Sequence, residues 1–199
     1  GRSGDLAGLR VLITAGGTVA FYTYSISGPK IIQAMFAGGD ALTGTYINLA
    51  ALTLLMLLQP LGGWLSDRIG RKSLLVFFGV GGVLYTWVLL IVLPRQADAL
   101  AAFGILALGF VILTGYTSIN AVVKAELFPT HVRALGVGLG YALANSAFGG
   151  TAPLLYQASL RSGHMDEFVV YVTAVIAVSL FVYVFFLTNK GETWLDRDA

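Results

Sequence analysis

The feature that most constrains this chain is where its charges are missing. Six stretches, 11–29, 41–66, 73–94, 99–123, 134–160 and 168–189, contain no Asp, Glu, Lys or Arg, and each is 19 to 27 residues long. A bilayer core about 30 Å thick is crossed by roughly 20 apolar residues of helix. Buried helices of soluble proteins seldom recur six times at that length without a charge. Composition agrees: 57% of the residues are hydrophobic and 11% charged, against roughly 25% charged in a soluble domain. The pattern predicts an all-α membrane protein, a bundle of six transmembrane helices. The spans are expected at about 11–35, 41–65, 73–94, 99–123, 134–160 and 168–189, and residues 1–199 form one unit with no room for a separate soluble domain.

The same charges give an orientation. Six spans leave both termini on one side, together with the turns at 66–72 and 124–133. That side collects Arg2, Arg10, Arg68, Arg71, Lys72, Lys124, Arg133, Lys190 and Arg197, while the opposite side has Arg95 and Arg161. The bias predicts cytoplasmic termini, in a multi-pass protein of the inner (plasma) membrane. Net charge +2 therefore implies lipid rather than nucleic acid as the partner of the basic residues. Cysteine is absent, so redox compartment is unreadable. The opening "GRSGDLAGL" lacks an initiator Met and is expected to be a fragment or processed start.

Amides distinguish the spans. Gln33, Asn48, Gln59, Asn120, Asn145 and Gln157 fall in spans one, two, four and five, whereas spans three and six have none before Asn189. Amides are costly against lipid, so spans three and six are expected to face lipid and the others the interior. The pattern repeats every three helices, as in a 3+3 pseudo-repeat, although the two triplets show no residue-level similarity. The fifth span carries two ladders of small residues, Gly136–Gly140–Ala144 and Gly138–Ala142–Ser146–Gly150, which permit close helix approach. "ITAGGTVAF" lies inside a span and lacks the Gly-Lys-Ser/Thr ending of a phosphate loop.

One knot of charge interrupts the apolar sequence. "GGWLSDRIGRKSLLVF" (62–77) holds Asp67, Arg68, Arg71 and Lys72 within six positions, in a short cytoplasmic turn. Gly63, Trp64, Leu65, Ser66, Asp67, Arg68, Ile69, Gly70, Arg71, Lys72 and Leu75 resemble the loop signature of the major facilitator superfamily. Gly63 is expected to allow close helix approach and Gly70 a tight turn. Asp67 suits a positive helix N-terminus, and Arg71 offers a forked donor to an acidic partner. A plain positive-inside cluster is the simpler reading, and the full spacing argues against it. A second stretch, "AELFPTHVRALGVGLGYALANSAFGGTAPL" (125–154), carries Glu126 and Arg133 as E-x6-R and resembles the metabolite:proton symporter family. Within that family "FYTYSISGPK", "QPLGGWLSDRIGRK", "YTSINAVVKAELFP" and "VRALGVGLGYALANSAFGGTAP" are similar, in order, to α-ketoglutarate permeases.

The resemblance covers nearly the whole chain and aligns it with helices seven to twelve, the C-terminal half of such a transporter. It implies a proton-coupled symporter of small carboxylates, 2-oxoglutarate first, working by alternating access. It also implies an N-terminal six-helix half as partner, with a solute and protons. Carriage of shikimate, citrate or a zwitterionic osmolyte is the sister reading. A non-transporting sensor, or a half-protein dependent on a partner, is the rival from another class. The resemblance further implies that Asp67, Arg71, Glu126 and Arg133 pair as a latch when the cytoplasmic side is closed; the alternative is that they set topology only.

No span interior has an Asp or Glu, and His131 and His164 sit in loops on opposite sides. This chain thus offers no obvious proton relay, no metal set and no nucleophile, so neither a cofactor nor catalysis is expected. Candidate solute contacts are the polar residues within the spans, Tyr22, Tyr24, Tyr116, Asn120 and Asn145, each of which would equally serve as an interhelical hydrogen bond. "SISGPK" is expected to break the first helix, because Pro29 removes an amide donor. Lys30 follows that break, and either snorkels to the outer interface or attracts an anionic solute.

Overall fold

The computed structural model describes residues 2–126 and 133–187. Among them the chain is all helical. Nine α-helices follow in order: α1 (Arg2–Tyr22), α2 (Gly28–Phe36), α3 (Ala41–Ile69), α4 (Arg71–Trp87), α5 (Ala99–Thr117), α6 (Asn120–Glu126), α7 (Arg133–Ala144), α8 (Gly150–Ser162) and α9 (Met165–Phe186). Widened π turns at Thr23–Ser27 and Asn145–Gly149 join α1 to α2 and α7 to α8, and a third at Val88–Val92 extends α4. The described residues therefore form six rods.

Four rods, Ala41–Ile69, Arg71–Arg95, Ala99–Val123 and Met165–Phe186, are long and apolar enough to cross a membrane. The other two, α1–α2 and α7–α8, are interrupted by π turns and richer in Gly, Ser, Thr and Asn. Local chemistry sets the rod ends. Asp40 accepts from the Thr43 amide at 3.3 Å and Asp98 from the Ala101 amide at 2.9 Å, satisfying donors that a helix start leaves open. The α3–α4 turn is a single residue: Gly70 has φ +93° and ψ 151° and donates to the Ser66 carbonyl at 2.9 Å. A side chain rarely adopts that conformation.

"SISGPK" does not break the first helix. Its backbone stays right-handed helical, and Gly28 donates to the Thr23 carbonyl in a five-residue turn. The missing Pro29 amide is absorbed by widening one turn, and the helix continues to Phe36.

Rod packing carries a symmetry that the residues hide. The first rod packs on the sixth and fifth, and the fourth on the third and second, while the third and sixth pack on each other. Exchanging rods one to three with rods four to six maps this set of pairings onto itself, as a three-helix repeat requires. The interfaces use small residues: a Cβ on Gly79 of α4 would lie 2.7 Å from Leu180 of α9, and one on Gly16 of α1 2.5 Å from the Ser179 hydroxyl of α9. Three successive α1 carbonyls accept side-chain hydroxyls, Leu12 from Ser179, Ile13 from Tyr183 at 2.8 Å and Thr14 from Tyr116 at 3.5 Å.

Within this chain, two of the expected interior faces are left open. The second rod, expected inside, is the most exposed of the four apolar rods at 22% buried, against 39% for rods three and six and 56% for rod four. Its amides do not mark the interior: Asn48 is buried, but Gln59 bonds the Leu55 carbonyl of its own turn, and Gln33 of α2 is exposed. The ladder Gly138–Ala142–Ser146–Gly150 is exposed along its length, and a Cβ on Gly138 or Gly150 would meet nothing within 4 Å. The close approach on this rod comes from Gly149, whose Cβ would lie 2.6 Å from the Tyr22 ring.

Candidate functional site

A small cavity of about 190 Å³ brings residues from four helices and a π turn together. Thr18 and Phe21 come from α1, Tyr116 and Thr117 from α5, Asn120 from α6, Tyr141 from α7 and Asn145 from the following π turn. Three of the residues singled out in the sequence, Tyr116, Asn120 and Asn145, thus share one wall system. Thr18, Thr117 and Tyr141 had no distinguishing sequence signal beyond polarity within a span, and Phe21 had none.

Geometry gives these side chains different capacities. Tyr116 is buried; its ring lies over Gly17, whose Cβ would fall 2.0 Å from Cζ, and 5.4 Å from the Phe78 ring. Its hydroxyl is engaged with the Thr14 carbonyl, so Tyr116 is a fixed wall. Asn120 and Asn145 are half-buried, and their amides have no hydrogen-bond partner among the described residues. Each therefore presents two donors and an acceptor to whatever enters. The described lining holds hydroxyls, amides and one phenyl ring and no formal charge. It can orient a polar solute but cannot neutralise an anion.

Tyr22, Tyr24 and Lys30 do not line this cavity. Tyr22 is half-buried, edge-on to Phe21 with ring centroids 5.5 Å apart, and so stands beside the cavity wall. Tyr24 is fully buried on the other side of the rod, its hydroxyl 2.9 Å from Thr86 Oγ1 and 3.4 Å from the Gly82 carbonyl of α4. It packs the bundle. Lys30 is exposed on α2, about 13 Å along the rod from Phe21 at 1.5 Å per residue.

The charge knot is ordered by its own turn. Arg71 donates to Asp67 at 2.6 Å across the Gly70 turn and also to the Ser66 hydroxyl, which donates to the Gly63 carbonyl at 2.9 Å. Asp67 thereby pairs with the first residue of α4. Arg68 stacks over the Trp64 ring at 4.2 Å. Lys72 donates to the Val184 carbonyl at 2.8 Å, in the last turn of α9, where carbonyls lack helical donors and the helix dipole favours a cation. Lys72 thus ties the start of rod three to the end of rod six.

Gly63 does not make the close approach expected of it. A Cβ there would meet nothing within 4 Å, whereas one on Gly62 would lie 2.5 Å from Ser118 Oγ of the fourth rod. One residue is about 100° of helix rotation, enough to turn Gly63 away from the bundle. The side chains of Glu126 and Arg133, and the whole of His131, lie outside the described residues. Among those residues no group of three metal-ligating side chains occurs.

The chain is similar in sequence to known transporters. Residues 11–197 match the model of the family described as "Sugar (and other) transporter". The chain is 40% identical over 179 residues to the alpha-ketoglutarate permease of Escherichia coli, covering 90% of this chain and 41% of that one. It is 31% identical to a citrate-proton symporter of Klebsiella pneumoniae, covering 76% and 34%, and 28% identical to the ectoine/proline transporter ProP of Corynebacterium glutamicum, covering 92% and 36%. The chain spans about two fifths or less of the length of these relatives. No solved structure matches it. The all-helical bundle, its signature turn and the match over residues 11–197 together show that this chain belongs to the sugar (and other) transporter family, within the major facilitator superfamily.

Proposed function

We propose that this chain is the C-terminal six-helix half of a proton-coupled symporter of small carboxylates, with 2-oxoglutarate as first substrate. The observation that carries the reading is the cavity between α1, α5, α6 and α7, where the half-buried amides of Asn120 and Asn145 have no partner among the described residues. Unpartnered amides in an apolar bundle are costly, and a carboxylate crossing the membrane supplies the missing acceptors. The similarity to an alpha-ketoglutarate permease and to a citrate-proton symporter favours an acid solute; ProP is the reason to keep a zwitterionic osmolyte as the second candidate.

The cavity's described lining carries no formal charge, so neutralisation and proton binding fall to other groups. Lys30 is the candidate in this chain, and the remainder belong to an N-terminal six-helix half. That half packs on the exposed faces left here: the Gly138–Ala142–Ser146–Gly150 row and the flank of α3 that carries Gly63. Alternating access is then rocking of one half against the other, with Asp67, Arg71, Glu126 and Arg133 latching the cytoplasmic side. Both ends of this segment lie on that side of the inner membrane.

The test is uptake by the full-length protein in proteoliposomes. Labelled 2-oxoglutarate should accumulate when an inward proton gradient is imposed, with unlabelled citrate and proline as competitors. Accumulation of proline but not 2-oxoglutarate would replace the substrate. No gradient-driven uptake of any of the three would overturn the symporter reading.

A further inference from the structure

A second and larger cavity, about 420 Å³, opens at the end of the bundle opposite the Gly70 turn. It lies between the far ends of four rods, and Ile31, Met35, Leu90, Ile91, Leu160 and Met165 make most of its wall. Two lining residues are polar. Arg95 closes the third rod, is exposed, and forms no ion pair among the described residues. Tyr156 is only 4% exposed, held edge-on against Phe168 at 5.7 Å, and no described residue hydrogen-bonds its hydroxyl.

Those two groups specify an occupant. The Tyr156 side chain is buried while its hydroxyl opens into the cavity, so an acceptor reaches it from there. Water at the open mouth satisfies that hydroxyl but leaves the aliphatic and thioether walls uncovered, and an apolar chain covers them. A small dicarboxylate would lie against Leu, Ile and Met with a single cation to meet its two charges, leaving one carboxylate uncompensated. A molecule with an apolar tail, a neutral acceptor and an anionic head fits all three features. The depths agree: Tyr156 is six residues from the end of α8, about 9 Å below the rim, whereas Arg95 is at the rim. The carboxylates of Asp166 and Glu167 follow Met165 on α9 but do not line the cavity.

We propose that this cavity binds a glycerophospholipid, its phosphate on Arg95, an ester carbonyl on the Tyr156 hydroxyl and one acyl chain along Leu90, Ile91 and Met35. The site is separate from the Asn120–Asn145 cavity and would exist whatever solute the protein carries.

Native mass spectrometry of the full-length protein in detergent tests this with dioleoyl phosphatidylglycerol, dioleoylglycerol and oleate as probes. The phospholipid should be retained about tenfold more than the diacylglycerol, which has the chains and esters but no phosphate. Arg95→Gln should remove that preference, and Tyr156→Phe should weaken retention of both diacyl probes about fivefold. Ala34→Trp, placed to fill the cavity, should block retention with an unchanged size-exclusion profile; if that variant does not fold, the other two still decide. Equal retention of diacylglycerol, retention of oleate in preference to the phospholipid, or wild-type binding by both Arg95→Gln and Tyr156→Phe would each overturn the assignment.

Discussion

The Ser179 hydroxyl of α9 bridges one rung of α1: it accepts from the Gly16 amide at 2.9 Å and donates to the Leu12 carbonyl. A side chain inserted at an i, i−4 pair is a known cause of local helix bending, and here it fixes rod one to rod six at a point with no room for a Cβ. Gly16→Ala should therefore lower the thermal midpoint of the detergent-solubilised protein, at an overpacking cost of about 1–3 kcal/mol. Ser179→Ala should cost about 1 kcal/mol, one hydrogen-bonding group. Ser179→Gly should recover part of the Gly16→Ala loss, since it removes both atoms nearest the new methyl. Additive losses in that double variant would show that the contact is not what limits Gly16.

Two glycines of the signature turn should behave oppositely. Gly70 sits at φ +93°, so Gly70→Ala imposes backbone strain of order 1–3 kcal/mol and should reduce both yield and thermal midpoint. Gly63→Ala meets open space within this chain and should leave the midpoint of the isolated segment, where it can be purified, unchanged. In the full-length protein the same change should impair transport if the other half packs there. Normal uptake by Gly63→Ala would remove Gly63 from the interface between halves.

The proposed latch should separate from stability in a similar way. Asp67 is 66% exposed and Arg71 28%, and exposed ion pairs contribute about 0–1 kcal/mol. Asp67→Asn and Arg71→Ala should thus shift the thermal midpoint little. Both should still impair uptake and raise the labelling rate of a single cysteine at Gln59, as the cytoplasmic side spends longer open. Unchanged labelling with normal uptake would leave the cluster a topological role only.

How much of this was legible in the sequence depended on whether a property needs helix rotation. Rod number did not: the charge-free stretches give it, and Gly70 announces one turn by type, whereas the Asp40 and Asp98 caps were read only from the structure. Facing did. Gly62 and Gly63 differ by one residue and point to different neighbours. Tyr22 and Tyr24 straddle the start of the Thr23–Ser27 π turn, where the ordinary 3.6-residue period no longer holds, and only Tyr22 ends near the cavity. The Asn120–Asn145 meeting joins rods four and five, whose registry no local pattern encodes. The repeat was visible in the amide distribution and in the rod pairings, but not in aligned residues, because packing constrains side-chain size at each contact rather than identity.

Within the cavity, loss of a donor to a carboxylate should raise KM about tenfold, the value of one hydrogen bond to a charged group. Asn120→Ala and Asn145→Ala should each do so for 2-oxoglutarate with membrane expression intact. Tyr24→Phe is the contrast: its hydroxyl faces Thr86 inside the packed bundle, so it should lower the thermal midpoint and leave KM alone. A KM effect from Tyr24→Phe without one from Asn145→Ala would place the solute on the opposite face of rod one.

Lys30 gives the sharpest separation of solute classes. It is exposed on α2, beyond the π turn, where no acidic side chain of this chain forms an ion pair with it among the described residues. The described lining of the cavity deeper along the same rod supplies donors but no charge. A carboxylate moving toward that cavity gains long-range attraction from a cation on its route, whereas a zwitterion, with no net charge, gains little. Lys30→Gln should therefore raise KM for 2-oxoglutarate severalfold while proline uptake, if the protein carries it, stays unchanged. Lys30→Arg keeps the charge and should do less harm. Equal loss for acid and zwitterion would make Lys30 structural. No change for either would leave its ammonium to the membrane interface, and charge neutralisation would then rest wholly with groups outside this chain.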